Sequence, residues 1–241
     1  MPLTRSVFLT AEWLDLVMLN YEVDPALLKD RVPPGTVLDS FDRKTYVSLV
    51  GFQFCRTKLF GALRIPLHSN FDEVNLRFYV RRKQDNEDRR GVVFIAEIVP
   101  KWAIAQIARL AYGENYIRLE MKHRIEMNGA TKTAEYEWRN KGTRAKLFAH
   151  ASGDPLPAKE GSLEEFITEH YWGYSAQRNG TLEYRVAHVP WNVWRSTAAG
   201  FEGDASNLYG SELGKVLQRP PDSAFIADGS PVEVFTGSKV Q

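Results

Sequence analysis

One stretch constrains the fold of this chain more than any other. It is Ile117–Arg139, two runs of alternating apolar and polar residues separated by Asn128-Gly129. Asn-Gly is the preferred pair for a two-residue turn with positive φ at both central positions, so the stretch predicts an antiparallel hairpin. Closing the turn on that pair sets Met127 opposite Ala130, Met121 opposite Tyr136 and Leu119 opposite Trp138. All of these share one face with His123 and Ile125, while Lys122 meets Glu135 on the other, so turn chemistry and alternation agree on a register. The same register sets Glu120 against Glu137, a like-charge pair relieved only by diagonal arginines.

Further strand signals surround the hairpin. Thr45–Phe54 is apolar on both faces, as a central buried strand is. Val74–Arg81 alternates, with Val74, Leu76, Phe78 and Val80 on one face and Asn75, Arg77, Tyr79 and Arg81 on the other. Val92–Val99 is a β-branched run ended by Pro100.

Helices are few. Asp24-Pro25 supplies an N-cap and a first-position proline, and Pro33-Pro34 ends that helix. Lys101–Ala111 carries Ala103, Ile107, Leu110 and Ala111 on one face and stops at Gly113. Ser162 and Glu165 form a capping box for a helix reaching Tyr171. Asp204–Leu217 is a weaker helical pattern interrupted by Gly210 and Gly214. Many strands with a few separate helices predict a mainly β, α+β or barrel architecture, without the strand-helix alternation of a doubly wound sheet. With Ala151–Gly161 read as a surface loop, the 241 residues form a single domain, 1–241.

Charge narrows the partners. Thirty-one basic against thirty acidic residues leave a net charge of +1, which offers no field for nucleic acid or an anionic membrane. No run approaches the roughly 20 apolar residues of a membrane span, and residues 1–10 lack a secretory signal pattern. The lone Cys55 forms no intramolecular disulfide, and its neighbours Phe52 and Phe54 suggest a buried thiol. A cytoplasmic location follows as the expectation.

Standard motif searches fail. Gly210–Lys215 resembles a phosphate loop but is one residue short, with Val216 in place of the hydroxyl, and no Gly-x-Gly-x-x-Gly occurs. No histidine has a second histidine or a cysteine at metal-ligand spacing, so neither metal nor cofactor is expected. Asn179-Gly180-Thr181 reads as a turn. Several single residues remain. His123 on the apolar hairpin face, His68 in a turn and His170 near a helix end are candidate bases, each with the alternative of a hydrogen-bonded core histidine. Glu73 stands at a strand entrance with Arg77 four residues on, and Arg109 is the charged residue within an apolar helix; a solvated strand end and a snorkelling arginine are the ordinary readings. The aromatic cluster Tyr171, Trp172, Tyr174, Trp191 and Trp194 either lines a cavity or packs a barrel mouth or subunit interface.

Phe71-Asp72-Glu73-Val74-Asn75-Leu76-Arg77-Phe78-Tyr79-Val80, Arg90–Phe94 and Ala108-Arg109-x-x-Tyr112-Gly113-Glu114-Asn115-Tyr116 together resemble the uncharacterised YqjF-like family. Leu163–Tyr174, His188-Val189-Pro190-Trp191, Val23-Asp24-Pro25 and Val32-Pro33 extend the resemblance over about residues 10 to 236. That family is grouped with the acetoacetate decarboxylase-like superfamily. The grouping implies a β-barrel or β-cone with a few short flanking helices, an enclosed cavity and a homo-oligomer. The superfamily's enzymes use a Schiff-base lysine kept neutral by desolvation and a neighbouring cation, acetoacetate decarboxylase being the standard instance. The resemblance puts their arginine on Arg109, their aromatic-glycine pair on Tyr112-Gly113, their glutamate on Glu73, their reactive lysine on Tyr116 and its partner lysine on Ile117.

Tyr116 forms no imine, which argues against decarboxylation by the family mechanism. Three readings stay open. One is a barrel binding a small carboxylate or carbonyl compound through Glu73, Arg109, Tyr116, Asn115, Arg77, His123 and His68, with lyase- or isomerase-type acid/base chemistry if it is an enzyme. The second is a non-enzymatic degenerate barrel serving oligomeric or partner contacts. The third is a lyase with a displaced lysine.

Overall fold

The computed structural model describes residues 6–61, 63, 69–84, 87–101 and 112–240. Arg109, His68 and all but the first residue of the helix expected over Lys101–Ala111 lie outside the described residues. In chain order, β1 (Val7–Val23) leads through two short 3-10 turns to β2 (Val37–Leu38), β3 (Thr45–Leu59), β4 (Phe71–Gln84) and β5 (Glu87–Val99). Then come β6 (Tyr116–Arg118), β7 (Glu120–Asn128), β8 (Thr131–Asn140), β9 (Thr143–Ser152) and β10 (Leu156–Pro157). Helix α1 (Leu163–Thr168) precedes β11 (Trp172–Gln177), β12 (Gly180–Ala187) and β13 (Asn192–Glu202). Helices α2 (Ser206–Tyr209) and α3 (Ser211–Leu217) lead to β14 (Ser223–Phe235) and β15 (Ser238–Val240).

Strands β12, β11, β5, β4, β3, β1 and β14 follow one another in hydrogen-bonded order, and β14 pairs back onto β12, so the sheet closes on itself. Closure gives those strands two buried faces. Inside lie Leu16, Met18, Phe52, Phe54, Tyr79 and Phe225. On the outer face Leu19, Leu49, Leu76 and Phe78 pack against Tyr136, Trp138 and Leu147 of the β7–β8–β9 sheet, which β13 ties to β14. The alternation of Val74–Arg81 is therefore real, but both of its faces are covered as far as Val80, and the polar one looks into the barrel. Gly51 permits the close approach of the two layers: a Cβ there would meet the Tyr136 ring at 2.7 Å.

The hairpin forms, but two residues out of the expected register. Asn128 pairs with Thr131, Met121 with Trp138 and His123 with Tyr136. Gly129 has φ of 60° and Ala130 is not among the positive-φ residues, so the central pair is Gly129-Ala130 with one left-handed position, as in a type II′ turn. A two-residue slip preserves the faces while changing every partner. Glu120 now meets Arg139, Lys122 meets Glu137, and the expected clash of Glu120 with Glu137 disappears.

The local punctuation otherwise matches the sequence, with shorter helices. Asp24 accepts from the Ala26 amide and caps a 3-10 turn over Pro25–Leu27. Ser162 accepts from the Glu165 amide at the start of α1, which ends at Thr168, short of Tyr171, and Glu165 reaches back to Gly161 rather than to Ser162. The Asp204–Leu217 pattern splits at Gly210 into α2 and α3, so the lookalike phosphate loop is a helix junction. Among the described residues no helix is long and apolar enough to cross a membrane.

Candidate functional site

The site begins with a row across three strands. Asn75 of β4 pairs with Glu97 of β5, and Glu97 pairs with Tyr116 of β6. Two residues to either side of Asn75 on the same face of β4 stand Glu73 and Arg77. These five side chains line a cavity of about 100 Å³ inside the barrel, together with Glu114, Tyr184 and His170. Its walls are largely aromatic.

Glu97 faces the cavity because β5 carries a bulge. Leu76 pairs with Ala96, yet Arg77 pairs with Phe94, so Ile95 is an extra residue. Val92 and Phe94 look inward before the bulge; after it Glu97 and Val99 do, while Val93, Ile95 and Ile98 join the outer core. Asn115 holds this irregularity in place: its Nδ2 donates to the Ile95 carbonyl at 3.3 Å, and its own carbonyl accepts from the Glu97 amide at 3.0 Å.

Three carboxyls are thus enclosed together. Glu73, Glu97 and Glu114 are 3%, 1% and 9% exposed. Asn75 Nδ2 donates to Glu73 Oε1 at 3.0 Å, and the Tyr184 hydroxyl donates to Glu114 Oε1 at 2.5 Å. The Glu97 carboxyl adjoins both the Glu114 carboxyl and the Tyr116 hydroxyl. Burial disfavours the charged form of each carboxyl, and the neighbouring carboxyls add to it for Glu73 and Glu97. Glu73 is pushed up to about 8, Glu114 to about 7 and Glu97 well above the usual carboxylate range. Burial likewise raises Tyr116 and Tyr184, with the carboxyls reinforcing it, so both remain protonated donors.

Among the described residues, Arg77 is the cation lining the cavity. It is 8% exposed, its Nη2 donates to the Ile167 carbonyl at 3.3 Å, and its Nε has no hydrogen-bond partner. His170, two residues past α1, is wedged between Tyr79 and Phe166 with ring centroids 4.6 and 5.1 Å away. Burial drives it down to about 4, so it is neutral near pH 7. Its Nε2 lies 3.4 Å from Asp39 Oδ2, and Nδ1 has no hydrogen-bond partner. His188 stacks on Trp191 at 4.2 Å and also lines the cavity.

Of the residues expected from sequence, Glu73, Arg77 and Tyr116 meet in the cavity. Asn115 is exposed and pins the β5 bulge. His123 sits on an exposed part of β7, its Nδ1 2.7 Å from Asp72 Oδ1, and does not line the cavity. Trp172 and Trp191 line it, whereas Tyr174 and Trp194 pack in the outer core. Cys55 is half-buried and burial raises its thiol. Glu97, Glu114, Tyr184 and His188 were not among the expected ligands; for Glu97 the signal is a lone charge in the apolar run Val92–Val99. No lysine is among the described residues lining the cavity.

The family described as uncharacterized conserved protein, DUF2071 (COG2071), matches residues 10–231. The chain belongs to the DUF2071 family. Within reach of it is the uncharacterized protein YqjF of Bacillus subtilis (strain 168), 27% identical over 205 residues, which is 83% of this chain and 81% of that protein. Solved structures extend the likeness to fold. Acetoacetate decarboxylase from Legionella pneumophila superposes with a TM-score of 0.66 at 14% identity, over 100% of this chain and 92% of that one. An acetoacetate decarboxylase-like enzyme from Sphingomonas wittichii RW1 gives 0.64 at 14%, over 97% and 92%. The enduracididine biosynthesis enzyme MppR, complexed with pyruvate, gives 0.65 at 12%, over 100% and 92%. This DUF2071 member therefore has the acetoacetate decarboxylase-like fold, mainly β with a few short helices.

Proposed function

We propose that the barrel binds a small carboxylate in its cavity and transfers a proton at the carbon next to the ligand's carbonyl, without a covalent intermediate. The observation that carries this reading is the enclosed trio Glu73, Glu97 and Glu114, touching the hydroxyls of Tyr116 and Tyr184. Three desolvated carboxyls in one cavity do not all ionise near neutral pH; they share protons and titrate as a group. A protonated carboxyl and an ionised one then coexist, which is the pair that acid/base chemistry at a carbon needs. The open Nε of Arg77 supplies a donor for a ligand carboxylate. MppR, of the same fold, is complexed with pyruvate, which supports a carboxylate ligand. A degenerate barrel kept only for partner contacts has no use for a cavity that holds three carboxyls and an arginine among aromatic walls.

The test is hydrogen exchange. Pyruvate and acetoacetate are incubated with the protein in D2O, and loss of their C–H signals is followed by proton NMR. Protein-dependent exchange is expected, slowed about 10²- to 10⁴-fold by Glu97→Gln, with no added mass after borohydride. Absence of both binding and exchange for these and related small carboxylates sinks the reading; a borohydride-trapped adduct replaces it with a covalent lyase.

A further inference from the structure

The cavity is uneven in what it leaves unpaired. Glu97 Oε2 and Asn75 Oδ1 accept no hydrogen bond, although the two residues are 1% and 2% exposed. The amide orientation follows from Glu73, whose oxygen takes Nδ2 and turns Oδ1 away from it. The two open acceptors belong to directly paired residues, so they fall side by side on the barrel wall. The open donor, Arg77 Nε, lies two residues further along the same face of β4, a Cα separation of roughly 6.6 Å. Other unpartnered polar atoms, such as those of Tyr21, Trp138 and Tyr209, are scattered through the packed core, whereas these three belong to residues that line one cavity, where a ligand can reach them. Here acceptors cluster at one end and a donor stands at the other.

We propose that the ligand carries a cationic nitrogen as well as a carboxylate, with its ammonium held by Glu97 and Asn75 and its carboxylate by Arg77. This deepens the reading above and rests on the same cavity being a ligand site. The acceptor end gathers Glu73 and Asn75 from β4, Glu97 from β5, Tyr116 from β6, and Glu114 beside Tyr184 of β12. None of the ion pairs among the described residues joins these carboxyls to a cation; a ligand ammonium supplies the missing charge. Trp13, Phe54, Phe71, Phe94, Trp172 and Trp191 wall the cavity, and aromatic faces attract an organic cation where water is excluded. A metal ion suits the cluster less well, since no group of three potential ligands among the described residues is arranged to hold one. Arrival of an ammonium makes the shared-proton carboxyls ionise, so binding releases protons to the solvent.

The experiment uses a matched four-carbon series: butanoate, 2-oxobutanoate, butylamine, 2-aminobutanoate and 4-aminobutanoate. Each is titrated calorimetrically into the full chain at pH 7 in two buffers of different ionisation enthalpy. One of the amino acids should bind at least tenfold tighter than butanoate and release protons as it does so. Glu97→Gln should erase that preference, Asn75→Leu should reduce it, and Arg77→Gln should weaken every carboxylate-bearing compound; circular dichroism checks that each variant folds. If butanoate or 2-oxobutanoate binds as tightly as both amino acids, or if Glu97→Gln leaves the ratio unchanged, the ammonium assignment is wrong while the carboxylate cavity stands. If no member of the series binds, both fall together.

Discussion

Glu183 on β12 and Glu97 on β5 belong to the same closed barrel and are 2% and 1% exposed. Their surroundings differ. Arg89 Nη1 lies 2.7 Å from Glu183 Oε1 and Arg82 Nη1 3.2 Å from Oε2, and the Tyr174 hydroxyl donates to Oε2 at 3.2 Å. Glu97 has a tyrosine hydroxyl, another carboxyl and one oxygen with nothing. A buried carboxylate with two arginines keeps its charge; a buried carboxyl whose neighbours are other carboxyls keeps its proton instead. One barrel thus buries acids in two ways, by pairing them with cations and by leaving them their protons.

The largest effect expected from breaking this contrast is at Glu183. Glu183→Leu removes the buried carboxylate between Arg82 and Arg89, which are only 13% and 17% exposed and keep Gln84 and the exposed Glu87 as partners; loss of one partner of a buried ion pair costs about 3 kcal/mol. Urea unfolding should show the loss, and carboxylate binding per folded molecule should persist. Gly173→Ala comes next. A Cβ at Gly173 would meet the Tyr184 ring at 2.1 Å, pushing its hydroxyl off Glu114. Overpacking of this kind costs about 2 kcal/mol, and here it should also abolish proton transfer, although residue 173 carries no functional group.

Glu97→Gln should do the reverse. The amide keeps the shape and removes a desolvated acid, so stability at pH 8 should stay level or rise by about 1 kcal/mol. A loss of 3 kcal/mol there would mean that Glu97 is paired as firmly as Glu183. The pH dependence sharpens the point. Glu73 is raised from 4.5 to about 8, so between those values the folded chain holds a proton that the unfolded chain has lost. Its contribution to stability is complete below pH 4.5 and declines as pH rises through 8. Asp39, held down to about 2 by His170 and Arg90 against the pull of burial, behaves oppositely: its contribution is present above 3.8 and lost as pH falls through 2. Glu73→Gln should flatten the decline between pH 5 and 8 in thermal unfolding and leave the acid limb untouched.

Period-two alternation made the strand content and the two faces of Val74–Arg81 legible, because β4 runs without a bulge along that stretch. The same rule fails at β5 and β1. Strict alternation from Val92 sends Glu97 to the outer core with Val93 and Ile95, and only the extra residue at Ile95 turns it inward. On β1 the register shifts between Leu14 and Val17, where Asp15 has φ of 55°, and the inward set changes from Trp13 to Leu16 and Met18. A bulge leaves no local signature beyond one misplaced charge. The hairpin slip has a related origin: Asn-Gly is compatible with Gly at either central position of the turn, and the closing partners decide which. The parallel pairing of β11 with β5 joins segments some 80 residues apart, and it brings Tyr184 on β12 toward Glu114. The acid cluster is thus a product of long-range closure.

Adjacent residues on β4 give the smallest and most local test. Asp72 and Glu73 point to opposite faces of one strand: Asp72 meets His123 of the outer sheet at 2.7 Å, and Glu73 enters the cavity. The hydrogen bond to Asp72 raises His123, so this pair stabilises below the unfolded value of 6.5 and its contribution is lost as pH rises through the higher folded value. His123 is 41% exposed, which limits the contribution to less than about 1 kcal/mol. His123→Gln should therefore lower stability slightly at pH 5.5, have no effect by pH 9, and leave ligand affinity within twofold at either pH. If its affinity for the amino acid series fell as far as that of Glu97→Gln, the barrel wall would not separate the two carboxylates, and the cavity would have to include the outer face of β4.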